Sequence, residues 1–134
     1  MLIAGTPVRG AGTEVRAFNP ASGETLEPAY RHGDATHVDT ACAAAAEAFA
    51  AYRSTTSEQR AQFLEAIAIN IEAITEDLIA RAVAESGLPQ ARITGEVGRT
   101  TGQLRLFADH IEAGRHLDLR HDPALPDRTP APRP

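Results

Sequence analysis

Three observations predict a mainly α chain with a short N-terminal β-hairpin. Apolar residues recur at helical spacing in four blocks across residues 34–116, each bounded by a capping or breaking residue. Before them, two short runs of alternating polarity flank Asn19-Pro-Ala-Ser-Gly23, a turn in which Pro presets φ and Gly accepts a positive φ. After them, residues 122–134 hold five of the nine prolines, a density that allows only extended or polyproline-like backbone. A length of 134 residues with 43% apolar content sets one domain with one core as the upper bound. The chain divides into residues 1–33 as strands and turns, 34–116 as a four-helix segment, and 117–134 as an extended Pro-rich segment.

The N-terminal strands are expected at LIAG near the start, at Glu14 to Phe18, and at Glu24 to Glu27 after the turn. The first helix runs from Asp34 to Arg53. Thr36-His-Val-Asp39 reads as its capping box, and Val38, Ala41, Cys42, Ala45, Phe49 and Tyr52 share one apolar face. On such a face the Cys42 thiol acts as a small hydrophobe, with no helix start or basic partner to make it a nucleophile. The second helix follows Ser54 to Ser57. Thr55 and Glu58 give its start signal, and Phe63, Leu64, Ile67, Ala68 and Ile71 give its buried stripe. Thr75 is expected to cap a third helix carrying Leu78, Ile79, Ala82 and Val83, which Gly87 ends.

Pro89 suits the first turn of a long fourth helix reaching about Ala113, with Leu104, Leu106, Phe107 and Ile111 at its packing end. Gly95, Gly98 and Gly102 each cost about 1 kcal/mol relative to Ala inside a helix. Their spacing of three and four puts them near one face, where missing side chains leave room for another backbone or a substrate channel. The pattern is no phosphate loop, for it lacks both Gly-x-Gly-x-x-Gly and a preceding strand. Gly114 closes the helix, and Leu117 to His121 is expected to add one more short strand.

Composition excludes several function classes. A formal net charge of -5 argues against a phosphate-tracking surface, so nucleic acid is not an expected partner. A single cysteine excludes an internal disulfide and any multi-thiolate metal site, and fits a reducing compartment. His32, His37, His110, His116 and His121 show no metal spacing on one helix face, so no metal is expected. The N-terminus lacks the basic region and long apolar core of a signal peptide, and no apolar run approaches the ~18 residues of a membrane span. A cytoplasmic, membrane-free protein is expected.

The segment Ala84 to Ala108, AESGLPQARITGEVGRTTGQLRLFA, resembles the N-terminal helices of an aldehyde dehydrogenase. AESGLP is similar to that family's Glu-Thr/Ser-Gly-x-Pro turn. GEVGRTTGQLRLFA resembles the next helix in the branch acting on 2-oxoglutarate semialdehyde (2,5-dioxovalerate) and long-chain aldehydes. FNPASGE resembles the family's Asn-Pro-x-Thr/Ser-Gly-Glu turn between N-terminal strands, and Arg60, Phe63, Leu64 and Ile67 match a family helix in type. The likeness covers about Ala17 to Pro134 in the family's order. It implies the N-terminal helical part of an incomplete α/β aldehyde dehydrogenase fold, with residues 117–134 as a crossing segment cut before the next domain.

By that resemblance, the full-length enzyme would oxidise an aldehyde, such as a semialdehyde acid, to a carboxylate with NAD or NADP, NADP being slightly favoured. A catalytic cysteine attacks the aldehyde, hydride passes to the cofactor, and a glutamate-activated water releases the acid. Nucleophile, base, oxyanion donor and nucleotide-binding domain all fall beyond Pro134, so this chain alone is expected to be inactive, with no catalytic, cofactor or metal residue of its own. The resemblance also implies a homo-oligomer when complete. Matching on Gln103-Leu-Arg105 places Gly95, Glu96 and Arg99 at the mouth of the substrate tunnel. There Arg99 could meet the distal carboxylate of the substrate; otherwise it is a solvated residue or pairs with Glu96 on its own face. A reading from another class stands beside this one: a stand-alone helical interaction module whose tail, Pro130-Ala-Pro-Arg-Pro134, docks on a polyproline-binding partner.

Overall fold

The computed structural model describes residues 1–120 and 122–131. Two antiparallel hairpins come first. β1 (Leu2–Ile3) pairs with β2 (Thr6–Pro7), a short second strand absent from the sequence expectation. β3 (Glu14–Phe18) pairs with β4 (Thr25–Arg31), so the strand expected to end at Glu27 runs four residues further. Val15 faces Tyr30 while Ala17 faces Leu26, so the ladder is irregular between them. Pro28 lies inside the longer stretch and has no N–H to give to a regular ladder. The Asn19 to Gly23 turn forms as expected: Asn19 Oδ1 accepts from the Ala21 N–H at 2.9 Å, and Gly23 holds φ +79°. Gly10 lets the chain cross β4 closely, since a Cβ there would stand 2.2 Å from the His32 carbonyl oxygen.

Four helices follow: α1 (Ala35–Arg53), α2 (Ser57–Ala73), α3 (Thr75–Ser86) and α4 (Gln90–Glu112). Each of the first three starts from a different residue than expected. In α1 the capping box is Asp34 with His37: Asp34 Oδ1 accepts the His37 N–H at 3.2 Å, and His37 Nδ1 accepts the Asp34 N–H at 3.3 Å. In α2 it is Thr56 with Gln59, one residue later than Thr55 with Glu58. Thr55 is taken by the corner instead, donating to the Tyr52 carbonyl at 2.7 Å and accepting from Arg60 Nε at 3.0 Å. Thr75 is the first residue of α3 rather than its cap, because its hydroxyl donates back to the Ile71 carbonyl. Gly87 ends α3 in the left-handed conformation at φ +68°, as expected.

α2 and α4 form the main helix pair, with α3 against α4. The buried residues of these helices are Ala61 and Ala68 from α2, Thr101 and Ala108 from α4, and Ile79 from α3, the one large side chain among them. The expected stripes are only partly covered. Leu64, Ile67, Ile71, Leu104 and Ile111 are half-buried, whereas Phe63, Leu106 and Phe107 are exposed.

The apolar face of α1 departs furthest from expectation. α1 buries no residue, Cys42 is exposed, and Val38, Phe49 and Tyr52 are open to solvent. Helical spacing identifies an apolar face but not a covering element: β1 lies alongside α1, and at the end of the helix the Tyr52 ring meets Phe63 of α2 edge-on, with centroids 6.2 Å apart. Beyond α4, Gly114 (φ +65°) leads into a short 3-10 turn, Arg115–Leu117. The strand expected over 117–121 does not form: residues 118–120 pair with no strand, and His121 lies outside the described residues. Of the expected proline-rich tail, Pro132, Arg133 and Pro134 also lie outside them.

Candidate functional site

Three sides of α4 have distinct chemistry, set by the 100° step between successive residues. Thr101, Leu104 and Ala108 turn toward the bundle. Arg92, Glu96, Arg99 and Gln103 fall on the opposite side, and Gly95, Gly98 and Gly102 run beside that polar stripe. At all three glycines a Cβ would meet nothing within 4 Å. The glycines therefore do not serve close packing within these residues; they leave the outer surface of the helix low and open.

On this surface Glu96 and Arg99, both singled out from the sequence, are brought together. Arg99 Nε and Nη2 donate to Glu96 Oε2 at 2.8 and 2.7 Å. Sequence reasoning missed the third member. Arg92 Nε and Nη2 each reach Glu96 Oε1 at 3.0 Å, so one carboxylate gives one oxygen to each of two arginines. The i to i+4 spacing of Arg92 and Glu96 was the signal available for it. Arg99 first and then Arg92, through their hydrogen bonds, hold the Glu96 carboxyl below the usual carboxylate range. Glu96 is thus ionised at neutral pH and the trio carries a net single positive charge. The arginine side chains remain about two-thirds exposed, at 67% and 68%, so this charge faces solvent.

The same helix is held in place by Arg105, two turns further on. Its Nη1 and Nη2 donate to the two Glu72 oxygens at 2.6 and 2.9 Å, and its Nε to Glu65 Oε1 at 3.0 Å. This fork ties α4 to α2 and fixes the rotation of α4 about its axis, hence the direction in which Arg99 points. Glu72 and then Glu65 raise the Arg105 pKa, and Arg105 lowers that of Glu72. No periodicity rule could find this clamp, because its partners lie 33 and 40 residues away.

What the surface can do chemically is bind an anion. Arg99 and Arg92 offer forked donors that match a carboxylate. The single thiol, Cys42, lies on α1 rather than on this helix. Among the described residues no group of three or more His, Cys, Asp or Glu side chains could hold a metal ion. The His110 and His116 rings lie 6.1 Å apart at the far end of α4. Among the described residues, no helix is long and apolar enough to cross a membrane.

Comparison with known proteins gives this surface a context. Residues 8–127 match the aldehyde dehydrogenase family. The chain is 49% identical over 134 residues to alpha-ketoglutaric semialdehyde dehydrogenase 2 of Azospirillum brasilense, covering 99% of this chain and 26% of that protein. It is 51% identical over 96 residues to alpha-ketoglutaric semialdehyde dehydrogenase of Acinetobacter baylyi, covering 72% of this chain and 18% of that protein. Among solved structures, a NAD-dependent benzaldehyde dehydrogenase from Corynebacterium glutamicum superposes with a TM-score of 0.77 at 23% identity, over 96% of this chain and 27% of that one. The chain therefore spans about a quarter of the length of these relatives.

Proposed function

The chain belongs to the aldehyde dehydrogenase family, and on that premise we propose that it is the N-terminal portion of an enzyme oxidising a semialdehyde acid, with 2-oxoglutarate semialdehyde as the type substrate, to the dicarboxylate. The observation that carries this reading is the near-complete match, at 49% identity, to a relative named for alpha-ketoglutaric semialdehyde, which is the same compound. The arginine-bearing outer face of α4 supports it, since a substrate with a distal carboxylate needs a cation to receive that end.

In this reading Arg99 receives the distal carboxylate at the mouth of the substrate tunnel, Glu96 lies beside it, and the aldehyde end points away toward residues beyond this chain. NAD(P) supplies the hydride acceptor in the family, and we take NADP as the favoured form here. The residues of this chain do not fit that cofactor: among the described residues no glycine-rich turn joins a strand to a helix N-terminus, and α4 follows α3, with Pro89 as its N-cap. Its domain, like the catalytic cysteine and base, belongs to the remaining three quarters of the family's length, so the isolated chain is inactive. Residues 1–33, 34–116 and 117–134 act as strand unit, helical segment and crossing segment of that larger fold. The exposed Val38, Phe49 and Tyr52 on α1 fit faces that the rest of the polypeptide covers. The complete enzyme is a cytoplasmic homo-oligomer.

Two measurements test this. Reading the coding DNA past Pro134 should show the frame continuing into a nucleotide-binding unit and a downstream cysteine. In the full-length enzyme, Arg99→Ala should raise KM for 2-oxoglutarate semialdehyde roughly tenfold or more, the scale of losing a charge-assisted fork. An unchanged KM removes Arg99 from the substrate site.

A further inference from the structure

Resting on the reading of Arg99 just given, we propose that Glu96 is a positioning residue and Arg92 a second determinant of preference for carboxylated aldehydes. A guanidinium has two edges that match a carboxylate, one formed by Nε and Nη2 and one by Nη1 and Nη2. Glu96 occupies the Nε/Nη2 edge of both arginines: Oε1 faces Arg92 at 3.0 Å, and Oε2 faces Arg99 at 2.7 and 2.8 Å. Among the described residues, no side chain engages Nη1 of either arginine. The outer edges are thus presented to solvent, beside the open strip over Gly95 and Gly98.

Each member has a separate task. Arg99 with Glu96 alone is a neutral pair and draws no anion from a distance. Arg92 makes the trio net positive, and that charge attracts a carboxylate approaching the outer edge. Glu96 repels the same carboxylate from behind the guanidinium, but it also holds a long, flexible side chain in one direction. The Arg92 charge offsets that repulsion, whereas the rotamer freedom of an unheld arginine must be lost again at every binding event. Fixing therefore outweighs repulsion.

The test is the selectivity ratio in the full-length enzyme: kcat/KM for 2-oxoglutarate semialdehyde over kcat/KM for pentanal, which has the same chain length and no carboxylate. Arg92→Ala should lower the ratio about two- to fivefold at low salt, as expected for one exposed charge, and the loss should shrink in high salt. Arg92→Lys should restore most of it, because the charge rather than the fork is used. Glu96→Gln should lower the ratio about twofold through KM, with kcat held. A ratio that rises or stays level in Glu96→Gln, or that ignores Arg92→Ala, overturns the proposal. Arg99→Ala separates the two levels. If it leaves the ratio unchanged, the substrate reading itself falls; if it collapses the ratio while Arg92 and Glu96 variants do not, only the present inference falls.

Discussion

Filling the three α4 glycines should make the 134-residue chain more stable. Gly95, Gly98 and Gly102 lie inside a regular 23-residue helix, and an added Cβ at each meets nothing within 4 Å. A glycine inside a helix is about 1 kcal/mol less favourable than alanine, chiefly through backbone entropy in the unfolded chain. No contact is lost and none is overpacked, so the triple alanine variant should gain about 2–3 kcal/mol if the sites add. For an m-value of about 1.5–2 kcal/mol per molar urea, the unfolding midpoint should move up by roughly 1–2 M. Urea titration followed by far-UV circular dichroism measures this directly. A midpoint that stays or falls would refute the reasoning, since something in the chain would then be resting on that face. A stabilising result would also sharpen the functional reading: glycines that cost this segment stability are retained for what passes over them in the complete enzyme.

Two further outcomes follow from the core and the ion pairs. Ile79→Ala removes the only large apolar side chain among the buried core residues described. Three carbons at about 0.8 kcal/mol each give a loss near 2.5 kcal/mol, whereas Leu106→Ala, at a site 62% exposed, should stay within about 0.5 kcal/mol; equal losses in urea melts would contradict the assigned core. Asp34, Glu72 and Glu96 all have lowered pKa values, through His37, Arg105 and Arg99 respectively. A carboxylate lowered in the fold adds stability above the ordinary carboxylate range and loses it as pH falls through the folded value. The urea midpoint should therefore hold between about pH 5 and 7 and drop below about pH 4. Glu72→Gln should flatten that drop, and a midpoint that rises on acidification would contradict the pairing.

Much of this was legible in the chain, because the interactions concerned are local. Gly87 in the left-handed conformation, the Asn19 to Gly23 turn and the pairing of Arg99 with Glu96 each depend on residues no more than five apart. Thr55 with Glu58 and Thr56 with Gln59 are both sound start signals, and local chemistry cannot rank them. Arg60 decides, by engaging Thr55 Oγ1 at 3.0 Å and the Arg53 carbonyl at 2.8 Å. The strand expected over 117–121 failed for a related reason: a strand needs a neighbour, and none reaches it among the described residues.

By itself, then, the sequence determined the number and order of the helices, the turns that separate them, and the family to which they belong. Helix spacing, capping and turn chemistry act over three to five residues and are written directly in the chain. The tertiary structure decided which apolar faces are covered, and that the residues buried in α2 and α4 are alanines and Thr101. It also decided that Arg105 spans 33 and 40 residues to Glu72 and Glu65, setting the direction of the outer face of α4. Those outcomes depend on which segments come to lie side by side, and periodicity marks a face as apolar or charged without saying what will stand against it.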